Sequence, residues 1–287
     1  MKTVIMLVLT MQLSAIGLAQ TASLSAPPGA PQVVDVRSGQ LHLKGYFWKP
    51  AGRGPFPAIL FNHGSGADDP QHTAGRTMTE AASDLAPIFL KHGYAFLYLC
   101  RRGQGLSADQ GPFAQELLKQ AEAKGADARK QLHYQLITGS QLDDALAGLT
   151  FLKAATDVDP RRIAIVGHSF GGMLTLLSGD HDSTIRAEVA FAAGANSWRG
   201  SQELRDRTLA AVANTAAPIM LVYAANDFDT TPGKDISAEL DRLHKSHLLK
   251  IYPVIGKTSA DGHSLLYLGI SEWEPDVFRF LDDTVKH

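Results

Sequence analysis

One cysteine, Cys100, stands in 287 residues, so no disulfide can form within the chain and stability has to come from a packed core. Runs of lysine or arginine are missing and the formal net charge is −2, which argues against nucleic acid or an anionic membrane surface as a partner. No histidine spacing resembles a zinc site, and no metal or organic cofactor is expected. Internal repeats are absent too, which excludes a solenoid. The one long apolar stretch is at the start, and polar Gln12 and Ser14 cut it below the roughly 18 to 20 residues of a spanning helix. With Lys2 ahead of it and Gly17 and Ala19 behind, residues 1–19 read as a secretory leader, cut before Gln20. The mature chain is therefore expected to be periplasmic or secreted, with no stable membrane insertion.

What is present suits one ordinary globular domain: 45% of residues are hydrophobic and 20% charged, enough for a sizeable core. Residues 20–32 form an Ala/Ser/Pro-rich lead-in, and 33–287 the domain. Val33–Arg37 and Leu41–Trp48 alternate apolar and polar residues around Ser38-Gly39, predicting an antiparallel hairpin at a sheet edge. Apolar-rich runs at 57–61, 94–100 and 162–166 predict strands covered on both faces, and those at 187–193, 218–225 and 248–255 predict further strands. Helical patterns lie between them at 79–91, 141–155, 201–214 and 232–244, with a terminal helix at 272–285. Ser140 and Asp143 are expected to cap the second of these. Residues 104–138 are an excursion containing one polar helical stretch, 115–135. This alternation predicts a mostly parallel central sheet with helices on both faces.

Chemistry concentrates where strand 162–166 ends. Gly167-His-Ser-Phe-Gly171 has glycines two residues either side of Ser169, the spacing of a sharp strand-to-helix turn that lifts a nucleophilic hydroxyl above the sheet edge. The backbone N–H of Phe170 then lies at a helix start and can stabilise an oxyanion. A second donor is expected after strand 57–61, in Asn62-His-Gly-Ser-Gly66, from Gly64 or Ser65. A serine hydroxyl needs a base, and the base an acid to hold it. His263, in a loop after the last strand, is the base that remains once the other ten histidines are weighed by position. His168 is expected to point away from the serine. Asp227, ending strand 218–225, is the acid, with Asp229 its near rival. Cys100 ends a strand with no pairing base nearby and is assigned to packing.

Assembled, these residues resemble the α/β-hydrolase superfamily, and within it the branch similar to dienelactone hydrolases and prolyl oligopeptidases. The motifs are Asn62-His-Gly-Ser65, Arg102-Gly-Gln-Gly-Leu-Ser107, Gly167-His-Ser-Phe-Gly-Gly172, Asp227 and Asp261-Gly-His263. The chain departs from that pattern with serine where dienelactone hydrolases carry a cysteine nucleophile. It also has Cys100 where many relatives carry an aspartate, and no propeller domain. The resemblance implies a carboxylesterase-like serine hydrolase acting on a small-molecule ester or short peptide. A peptidase or amidase would use the same residues; an acyltransferase would pass the acyl group to an alcohol acceptor, and a non-catalytic binding protein would hold a ligand without turnover. Arg101 or Arg102 is available either for a substrate carboxylate or for a structural ion pair.

Overall fold

Burial alternates along Gln32–Ser38 (β1) and Leu41–Trp48 (β2), which pair antiparallel with Ser38 opposite Leu41 and Gln32 opposite Phe47. A computed structural model describes residues 29–66 and 68–287; the expected leader and residues 20–28 of the lead-in lie outside the described residues. After the hairpin come β3 (Phe56–Asn62), the two-residue strands β4 (His72–Thr73) and β5 (Arg76–Thr77), α1 (Met78–Lys91) and β6 (Ala95–Leu99). The excursion supplies α2 (Ala114–Glu122) and α3 (Ala126–Thr138), followed by α4 (Ser140–Ala154) and β7 (Val158–His168). Then follow α5 (Phe170–Ser178), β8 (Ala187–Phe191), α6 (Gln202–Asn214), β9 (Ile219–Ala224), α7 (Thr231–Arg242) and β10 (His247–Tyr252). Two short helices, α8 (Ser259–His263) and α9 (Leu265–Leu268), precede α10 (Ile270–Val285).

The large sheet runs β1-β2-β6-β3-β7-β8-β9-β10, antiparallel through β1, β2 and β6 and parallel from β6 onward. This is the mostly parallel sheet of the α/β-hydrolase fold. Central strands carry no alternation because both faces are covered: β6, β8 and β9 are buried at every position. On one face Leu85, Phe89, Trp273 and Phe278 bring α1 and α10 onto Phe61, Phe96 and Val166. On the other, Leu142, Met173, Leu204 and Ile236 bring α4 to α7 onto Ala190 and Leu221. The parallel strands all point the same way. The loops after β3, β7, β9 and β10 therefore gather at one edge, the usual place for a site in a sheet of this kind. Among the described residues no helix is long and apolar enough to cross a membrane.

Several expectations need correction. The stretch 115–135 is not one helix. Gly125, at φ +114, breaks it into α2 and α3, because that backbone conformation strains any residue with a β-carbon. Ser140 does not cap with Asp143. The chain passes from α3 to α4 through Gly139 alone, so Ser140 is already helical and makes no cap bond. His263 closes the short helix α8 rather than sitting in a loop.

Glu188 of β8 is fully buried; its Oε1 accepts the Thr215 hydroxyl at 2.7 Å, and Oε2 has no partner among the described residues. Burial, opposed by the Thr215 hydroxyl, pushes its pKa up to about 8. The folded chain therefore holds a proton that the unfolded chain releases near its ordinary value. Stability from this group is intact in acid and falls as pH rises, levelling off above about 8. Glu188→Gln should raise the Tm at pH 9 by about 5 °C or more and change it little at pH 4 to 5, as read by calorimetry.

Candidate active site

The elbow after β7 is built by exclusion. A β-carbon on Gly171 would lie 2.0 Å from the Asn62 carbonyl oxygen, and one on Gly167 would lie 2.2 Å from the Gly171 carbonyl oxygen. Only glycine lets β7, α5 and the loop after β3 approach this closely. Between them Ser169 sits at φ 56, ψ −116, a conformation a non-glycine residue adopts only when its surroundings force it. Its N–H is tied to the Phe191 carbonyl at 2.8 Å and its carbonyl accepts from Met173 at 3.1 Å, which locks the turn and leaves the side chain partly exposed.

His263 Nε2 lies 2.8 Å from Ser169 Oγ, and its Nδ1 lies 2.8 Å from Asp227 Oδ1. The Asp227 side chain is fully buried, and the same Oδ1 accepts the Phe228 N–H at 2.7 Å. The carboxylate draws the imidazole proton to Nδ1, so the Nε2 lone pair faces the serine hydroxyl. Such an arrangement can take a proton from Ser169 and return it to a leaving group. Asp229 is elsewhere: Arg199 grips it with two bonds, 2.7 and 3.1 Å, and it accepts the Thr231 N–H at the start of α7. Asp261 accepts the N–H groups of Lys257 and Thr258, completing with Thr258 the capping box that starts α8.

Two further residues hold this arrangement through bonds between segments far apart in the chain. The Asn226 amide donates to the carbonyls of Ile255 (2.8 Å) and Thr258 (2.7 Å) and accepts the Ile255 N–H, pinning the loop that carries His263. His168 does point away from the serine, and its Nε2–H donates to the His263 carbonyl at 2.8 Å. Burial, aided by the nearby His263 ring, pushes the His168 pKa down to about 3, so that imidazole stays neutral beside the other.

On the opposite side of Ser169 lies the loop after β3. No acceptor among the described residues takes the backbone N–H of Gly64, Ser65 or Phe170, and Ser65 lines the cavities on both sides of Ser169. The loop is clamped by Arg101, which follows β6, the neighbour of β3. Its guanidinium is buried and donates to the carbonyls of His63 (2.8 Å) and Gly64 (3.2 Å), while Nε donates to Gln141 (3.0 Å). His63 completes the clamp: Nδ1–H donates to the Gly64 carbonyl at 2.7 Å and Nε2 accepts the Arg101 N–H at 3.2 Å. Arg102 makes a bidentate ion pair with buried Asp144, which also accepts the Ser38 hydroxyl. Neither arginine is therefore free for a substrate. Cys100 is buried at the end of β6, and burial pushes its thiol up to about 11.

Two cavities meet at Ser169. One, about 390 Å³, is walled by α2 and α3 through Leu118 and His133 and floored by Phe170 and Met173. The other, about 480 Å³, lies on the His263 side, with Phe228 and Leu268 at its rim. The indole of Trp198 is buried and donates to Asp235, so its neighbours Ser197 and Gly200, not Trp198 itself, line the first cavity. No group of three His, Cys, Asp or Glu side chains is gathered in a way that would hold a metal, among the described residues.

The chain is similar to the quorum-quenching protein AidA of Acinetobacter baumannii, 26% identical over 168 residues, covering 58% of this chain and 45% of that one. It is similar to the esterase EstD of Thermotoga maritima, 28% identical over 133 residues, 46% of this chain and 26% of that one. The chain thus spans half or less of the length of these curated relatives. The acylaminoacyl peptidase of Pyrococcus horikoshii shares the fold, with a TM-score of 0.63 at 19% identity over 89% of this chain and 42% of that one. The model of the dienelactone hydrolase family matches residues 71–258, a span that takes in Ser169 and Asp227 and stops five residues before His263. That span is well over half of the sequence, and the chain accordingly belongs to the dienelactone hydrolase family.

Proposed function

We propose that the protein is a serine esterase, exported from the cytoplasm, that cleaves a carboxylic ester through an acyl-enzyme on Ser169. One observation carries this reading: the unbroken chain of hydrogen-bond distances from Ser169 Oγ through the His263 ring to a fully buried Asp227. Ser169 Oγ attacks the acyl carbon as His263 Nε2 takes its proton, and Asp227 steadies the imidazolium that results. The N–H of Phe170, with that of Gly64 or Ser65, binds the oxyanion. His263 then protonates the departing alcohol, and water, activated by the same ring, releases the acid. The esterase EstD supports an ester over an amide, and the leader-like residues 1–19 support export.

The test is a matched pair of reporters, 4-nitrophenyl butyrate and butyryl 4-nitroanilide. The ester should turn over faster by orders of magnitude. Equal kcat/KM on the two would make the protein an amidase, and turnover of neither would remove the hydrolytic role of Ser169.

The clamp on the loop after β3 gives a further expected result. Arg101→Lys keeps a charge but cannot reach the His63 and Gly64 carbonyls and Gln141 together, so the oxyanion donors lose their fixed position. We expect kcat to fall by about tenfold to a hundredfold with KM changed far less. A drop confined to KM would show that Arg101 acts on binding instead.

A further inference from the structure

The two cavities at Ser169 are not equivalent, and the proton path tells them apart. This inference rests on the esterase reading above. The leaving alcohol must receive its proton from His263 Nε2, so it departs into the cavity that His263 lines, past Phe228 and Leu268, which are 48% and 50% exposed. The Phe228 ring stands 5.0 Å from the His263 ring, at the place where an apolar or aromatic alcohol would lie. The acyl half is left with the other cavity, which His263 does not line.

That acyl cavity has an apolar floor and two cations in its wall. Phe170, Met173, Leu118 and Ile137 line it together with Ser169 and neutral polar groups such as Gln115 and Asn196, Arg129 and Lys130 of α3 stand in its wall, and no aspartate or glutamate lines it. The two cations have only loose partners. Arg129 Nε is 3.6 Å from Glu122 and Lys130 Nζ is 3.7 Å from Asp127, and both acids are largely exposed and outside the cavity. Such pairs contribute little and leave the donors able to turn inward. The His133 ring, edge-on to Phe170, adds no negative charge to the wall. A cavity with an apolar floor and two loosely paired cations in its wall suits an acyl chain that is itself apolar and ends in an anion.

We infer that the substrates are half-esters of dicarboxylic acids: the acyl chain lies over Phe170 and Met173, its free carboxylate meets Arg129 and Lys130, and an apolar alcohol leaves on the Phe228 side. The reaction balances as hydrolysis. The bond from Ser169 Oγ to the acyl carbon forms as the bond to the alcohol oxygen breaks, with the serine proton passing through His263 to the alcohol. Water then cleaves the acyl-enzyme, giving the dicarboxylate.

The test compares mono-4-nitrophenyl adipate and suberate with their methyl 4-nitrophenyl diesters, which have the same length without the charge. Nitrophenol release gives kcat/KM for each. The free acids should be preferred by about fivefold to tenfold at low salt, and the preference should shrink as salt is raised. In Arg129→Gln/Lys130→Gln the ratio should fall toward one, and in Arg129→Glu/Lys130→Glu it should invert. Turnover of acid and diester at equal rates in the native chain would overturn the inference and leave the esterase reading standing. Turnover of none of these esters would overturn both.

Discussion

Ser169→Ala is expected to lower kcat on 4-nitrophenyl butyrate by about 10⁴-fold or more while the protein stays folded. In the proposed mechanism the hydroxyl supplies the only bond to the acyl group, and removing it leaves His263 and the proposed oxyanion donors with nothing to activate. The fold should tolerate the change because the turn is held by backbone bonds, Ser169 N–H to Phe191 and the Ser169 carbonyl to Met173, which alanine keeps. Alanine accepts the strained φ of 56° no better and little worse than serine does. His263→Ala should lose a similar factor, and the two changes combined should cost little more than either alone, because the pair acts as one unit. Additive losses would mean that serine and histidine work independently.

Asp227→Asn should cost about 10²- to 10³-fold in kcat, less than loss of the nucleophile. Asparagine has two ways to sit here. With its oxygen in the place of Oδ1 it still accepts both the Phe228 N–H and the His263 Nδ1–H, so the ring keeps its tautomer. With the amide flipped, its NH₂ opposes the Phe228 N–H, donor against donor. The first orientation therefore wins, and what is lost is the negative charge that steadies the imidazolium, together with the cost of a buried NH₂. Asp227→Ala removes the orienting bond as well and should fall further. If Asp229→Asn matched Asp227→Asn in kcat, the acid would have been misassigned, since Asp229 is bound to Arg199 and the start of α7.

How much of this was legible in the sequence depended on how local its cause is. Central strands announce themselves because burial on both faces demands unbroken apolar runs, as in β3, β6 and β9. The elbow is legible because its glycines are dictated by backbone contacts two residues either side of Ser169. The rest depends on which loops meet. Arg101 clamps the loop after β3 only because β6 lies beside β3 in the sheet, a neighbour relation that the order of residues does not state. Likewise the His168 bond to the His263 carbonyl joins positions 95 residues apart. Helix α8 escaped because five residues are too few for an apolar period; the Thr258 and Asp261 pair that starts it was in view, yet nothing apolar followed at helical spacing. Gly125 was the one visible sign that residues 115–135 would break in two.

The central claim is that Ser169 is an activated nucleophile. The most direct measurement is reaction of the full chain with a fluorophosphonate, the adduct located by mass spectrometry and its rate followed in native protein and in His263→Ala. The account predicts a single adduct on Ser169, formed in step with loss of ester turnover and slowed by orders of magnitude when His263 is removed. An unlabelled Ser169 in folded protein, or a label on Ser169 whose rate does not depend on His263, would contradict it.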